Sequence, residues 1–73
     1  MIDNNLKRCR EELEMTQTEL GYVFGVQKAT MSNWENGYSV MPLKKLVKFS
    51  NLYGFSLDFI LRLDKNNKNY SIK

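Results

Sequence analysis

Within the stretch KATMSNWE (28–35), Lys28, Ala29, Ser32 and Asn33 fall at i, i+1, i+4 and i+5. A helix places those four positions on one side and Met31 and Trp34 on the other. The first set offers an ammonium, a hydroxyl and an amide, groups suited to hydrogen bonding with a polar partner rather than to activating a nucleophile. Catalysis lacks its parts elsewhere too. The chain has no histidine, no cluster with metal-ligand spacing, no glycine-rich phosphate loop, and no basic partner for its single cysteine, Cys9. No enzyme activity, metal or cofactor is expected.

The elements that must carry this face are few, because 73 residues make one small domain. A core of that size supplies on the order of 3–5 kcal/mol of net stability, so a deep substrate pocket is not expected. The composition is globular, 42% apolar and 26% charged. Residues 1–25 carry a net −2 (Lys7, Arg8 and Arg10 against Asp3, Glu11, Glu12, Glu14 and Glu19). Residues 26–53 carry +3, with Lys28, Lys44, Lys45 and Lys48 against Glu35 alone. The rest carries +2, and this basic middle suggests a polyanion partner on one face. A lone cysteine permits no internal disulfide, and Cys9 fits a buried helix position. No apolar run exceeds three residues, as in Phe59-Ile60-Leu61, so an intracellular, cytoplasmic protein is expected.

Periodicity predicts an all-α domain over residues 1–64 and a polar tail, KNNKNYSIK, over 65–73 that should fray. Ile2, Leu6, Cys9 and Leu13 mark one face of a first helix over about 3–14. Thr16 with Glu19 is a capping box opening the second helix, and Met15 with Leu20 forms the matching staple. Leu20, Val23 and Phe24 should face inward. Gly21 costs stability inside a helix, which close approach of another helix would justify. Gly25 supplies the positive φ that ends it. A third helix runs from Lys28 to Glu35, with a cap at Gln27 and a second staple from Val26 to Met31; Asn36-Gly37 stops it. After a loop at 38–41, Pro42 suits the first turn of a fourth helix, with Leu43, Leu46, Val47, Phe49 or Ser50, and Tyr53 inward. Ser56 can cap a fifth helix over 57–63, with Leu57, Ile60 and Leu61 on the core side.

Two helices joined by Gly25 to Gln27 make a helix-turn-helix, whose second helix lies in the DNA major groove. The chain resembles the Cro/cI phage-repressor, or lambda-repressor-like (XRE-type), helix-turn-helix family. The likeness runs through LKRCREELEMTQTELG (6–21), Gly25-Val26, TMSNWENG (30–37), Pro42 and FSLDFIL (55–61). It implies a compact five-helix fold and a transcriptional regulator. Where the family commonly has Ser or Thr this chain has Gln27, and where alanine is usual it has Gly21. The loop from Gly37 to Pro42 is about one residue longer than the commonest form.

On this reading Lys28 can donate to guanine O6/N7 and Asn33 can pair with adenine N6/N7. Ala29 and Ser32 complete the base-contacting face. Gln17, Gln27, Asn36, Tyr38, Lys44 and Lys45 are the candidates for phosphate contact. The family pattern implies a pair between Arg10 and Glu35 that locks the first helix to the third. Phe59 and Leu63, at i and i+4, would form an apolar stripe for a homodimer that spans an inverted repeat in double-stranded DNA. The alternative reading is a protein-interaction module or an antitoxin or controller, with a toxin or anti-repressor as partner through that stripe.

Overall fold

A computed structural model describes residues 3–63, which form five α-helices and no strand. The first three helices, α1 (Leu6–Glu12), α2 (Gln17–Val23) and α3 (Lys28–Glu35), end in the same way. Each is followed by a residue in the left-handed region: Glu14 (φ 58°), Gly25 (φ 69°) and Gly37 (φ 78°). In each, the next N–H reaches back to the third-last helical carbonyl: Met15 to Arg10 at 3.2 Å, Val26 to Gly21 at 2.9 Å, Tyr38 to Asn33 at 3.0 Å. The left-handed residue's own N–H reaches the carbonyl of Glu11, Tyr22 and Trp34 respectively. This is the Schellman closure, which satisfies carbonyls that would otherwise lack partners.

The first helix is shorter than the 3–14 span that periodicity predicts, because Asn4 and Asn5 do other work. The Asn4 carboxamide oxygen accepts from the Leu6 N–H at 2.9 Å, while its nitrogen donates to the Trp34 carbonyl at 2.8 Å. Asn5 donates from its backbone to Ile60 and from its side chain to Phe59. The start of α1 is thus tied to the ends of α3 and α5. Ile2 and the tail at 65–73 lie outside the described residues.

Pro42 precedes α4 (Leu43–Tyr53) rather than occupying its first turn, and its carbonyl accepts from Lys45 and Leu46. The inner face of α4 is Leu46, Phe49 and Tyr53; Leu43 is 70% exposed and Val47 40%, against expectation. A helix has room for one inward stripe, and here the 46–49–53 phase takes it, while Met41, from the preceding loop, is also buried in the core. Phe49 is fully buried, with the rings of Phe24, Tyr53 and Phe55 at 5.5–5.7 Å. Those centroid spacings fall in the favourable range for aromatic pairs.

The fifth helix, α5 (Leu57–Leu61), ends two residues early. Ser56 caps it by accepting from Phe59, and Ile60 is buried. Arg62 then adopts a left-handed conformation (φ 51°), so Leu63 lies beyond a break and is not one turn along the same face as Phe59. In the packing, α3 lies against α1 and α2, and α5 against α1 and α4.

Candidate nucleic-acid interface

The joint between α2 and α3 is built from backbone as much as from side chains. A Cβ placed on Gly21 would lie 2.8 Å from the Val26 carbonyl oxygen. The glycine therefore makes room for the turn itself, not for another helix as the sequence suggested. Thr16 and Glu19 form the complete capping box, at 3.0 Å and 2.8 Å. Lys45 and Lys48 reach from α4 to the other end of α2, donating to the carbonyls of Phe24 and Val23 at 3.1 Å and 3.0 Å. Cations are favourable at a helix C-terminus. The Lys48 ammonium also sits 5.4 Å from the Phe24 ring centroid.

Held this way, α3 divides sharply. Met31 and Trp34 enter the core, at 0% and 5% exposure. Lys28, Ala29 and Asn33 are exposed; Ser32 is half-buried, its hydroxyl accepting from the Asn36 amide at 3.3 Å. Gln27 occupies the N-cap position with extended backbone, but its side chain makes no capping bond. That side chain is exposed, and so are those of Asn36, Tyr38 and Lys44.

Behind this face three helices meet at one carboxylate. Glu35, its side chain 2% exposed, accepts from Arg10 Nε at 2.6 Å and Nη2 at 3.2 Å. It also accepts from Gln17 Nε2 at 3.0 Å. Arg10 spends a further N–H on the Met15 carbonyl at 2.9 Å. The hydrogen bond to Glu35 raises the Arg10 pKa above its usual value, outweighing the cost of partial burial. The structure therefore brings Arg10, Gln17 and Glu35 together, and Ser32 with Asn36. It turns Lys45 to the α2 terminus instead of leaving its ammonium unengaged.

Phe59 is 37% exposed, stacked on Phe55 at 6.3 Å with the Arg8 guanidinium 5.9 Å from its ring. Cys9 is fully buried, and burial, with the Glu12 charge adding, pushes its thiol up to about 11. Among the described residues no group of His, Cys, Asp or Glu could hold a metal ion, and no helix is long and apolar enough to cross a membrane.

Sequence reasoning missed Asn4, Asn5 and Lys48. The two asparagines carried a readable signal, since Asn directly before the first apolar-periodic residue marks a helix start. Lys48 carried none, because its partner is a carbonyl 25 residues away.

A helix-turn-helix family model matches residues 6–60. The chain is 31% identical over 68 residues to the uncharacterized HTH-type transcriptional regulator YqaE of Bacillus subtilis (strain 168), covering 93% of this chain and 59% of that one. It is 32% identical over 62 residues to the SPbeta prophage-derived uncharacterized HTH-type transcriptional regulator YonR of the same organism, covering 85% and 57%. It is also 31% identical over 67 residues to that organism's HTH-type transcriptional regulator ImmR, covering 92% and 53%. The chain thus spans little more than half the length of these relatives. No solved structure matches it. With a glycine-closed turn joining α2 to α3 and a family match across all five helices, the chain belongs to the Cro/cI-type helix-turn-helix family.

Proposed function

We propose that the protein is a cytoplasmic, sequence-specific regulator of transcription that binds double-stranded DNA and represses by occupying its site. The observation that carries this is the division of α3, with Met31 and Trp34 in the core and Lys28, Ala29 and Asn33 outward. An eight-residue helix held from behind, with polar side chains on its free face, suits the major groove. Lys28 donates to guanine, Asn33 pairs with adenine, and Ala29 and Ser32 permit close approach. Gln17, Gln27, Asn36, Tyr38 and Lys44 meet phosphates, which position the helix without reading sequence. Three relatives named as transcriptional regulators support the reading, and the family supports a binding role rather than a catalytic one.

The protein acts as a homodimer on an inverted repeat, with the exposed part of Phe59 at the two-fold contact. Leu63, past the break at Arg62, contributes from the following segment rather than from a shared helical stripe.

The test is selection from random-sequence duplexes at near-physiological salt, followed by sequencing of the bound fraction. An inverted repeat with half-sites one helical turn apart, about 34 Å, is expected. No enrichment by folded protein would overturn the reading. Phe59→Asp should yield a monomer by sedimentation and lose the two-fold signal. A variant that stays dimeric would remove Phe59 from the interface.

A further inference from the structure

The Glu35 side chain is 2% exposed, and Arg10 alone would satisfy its charge. Yet it takes a third donor, the Gln17 amide at 3.0 Å. A carboxylate only accepts, so this bond decides which way the Gln17 amide points: nitrogen toward Glu35, oxygen away. One N–H of that nitrogen is used, and the second stays beside it at the half-buried start of α2. Without the carboxylate the amide is free to rotate and present its oxygen, which a phosphate repels.

We infer that Glu35 is a positioning residue for DNA backbone binding: through its bond to Gln17 it fixes the amide so that the remaining N–H donates to one phosphate. This rests on the DNA-binding reading above. Arg10 is the third part of the device. A phosphate bound to Gln17 lies close to the Glu35 carboxylate, and the paired guanidinium offsets that like-charge repulsion. The ion pair therefore permits an acidic residue to aim a donor at an anion, in addition to joining α1 to α3.

The test combines phosphate-ethylation interference with a double-mutant cycle on the selected duplex. In the unsubstituted protein, ethylating one backbone phosphate per half-site should block binding through Gln17. Gln17→Met should abolish sensitivity at that phosphate and weaken binding about tenfold, the scale of one hydrogen bond to a charged group. Glu35→Gln keeps the side-chain length, but Arg10 claims its oxygen and its amide nitrogen turns to Gln17, which must flip. It should lose sensitivity at the same phosphate and cost little further affinity when Gln17 is already Met. Thermal melts establish that each variant is folded. Should Glu35→Gln not fold, Glu35→Asp carries the same cycle, since it keeps the charge for Arg10 but falls short of Gln17. An unchanged ethylation pattern in the folded Glu35 variant, or an equal loss in both backgrounds, overturns the inference. Failure of the unsubstituted protein to bind any duplex overturns the DNA reading itself.

Discussion

The two helices of the joint are nearly the same length and are treated in opposite ways. At α2 the capping box closes the N-terminus, the Schellman turn and two lysines close the C-terminus, and Leu20 and Gly21 are buried. At α3 the C-terminus is closed, but the N-cap residue Gln27 makes no side-chain bond and Lys28 follows it. A lysine in the first turn opposes the helix dipole, so this start is poor for stability. The contrast teaches that α2 is built to be held and α3 to be used. Local rules are satisfied at the supporting helix and broken at the helix proposed to meet DNA, as expected of a functional surface.

Substitutions can break this contrast in order of size. Arg10→Ala should cost the most, about 3–5 kcal/mol in a denaturant melt, because it leaves Glu35 buried and uncompensated. Gly21→Ala should cost about 1–3 kcal/mol, since the new methyl meets the Val26 carbonyl, and backbone does not yield cheaply. A melt unchanged by Gly21→Ala would mean that the turn can relax and is not held by α2. Thr16→Ala should cost about 1 kcal/mol by removing the cap. At the unsatisfied end of the contrast, Gln27→Ser should stabilise α3 by about 0.5–1 kcal/mol while weakening DNA binding if the Gln27 amide meets phosphate.

Much of this was legible from the chain. The capping box at Thr16 and Glu19, the stop at Asn36-Gly37 and the inward pair Met31 and Trp34 all rest on spacings within one turn of helix. Where the chain misled, the cause was not local. Glu14 closes α1 in a conformation that glycine usually signals, so the end of that helix carried no marker. Leu43 and Val47 fit an inward stripe as well as Phe49 does, and which phase turns inward is settled by packing against the other helices, not by spacing within α4. Gly21 was read as an accommodation for a second helix, whereas the crowding group is a carbonyl five residues later in the same chain. At the proposed interface, residue types named the candidates, but the structure distributes their bonds. It commits Lys45 to Phe24 and Gln17 to Glu35, and leaves Lys28 and Asn33 on the exposed face.

The central claim is that α3 carries recognition and little of the stability on its outward side. The most direct measurement compares Lys28→Ala and Asn33→Ala with the unsubstituted protein, by thermal melt and by affinity for the selected duplex and a scrambled one. The account predicts melting within about 0.5 kcal/mol of the original. It also predicts a loss of about 1–3 kcal/mol on the selected duplex for each, with relaxed preference at one base position. Affinity unchanged on both duplexes, or a melt that falls as much as affinity does, would contradict it.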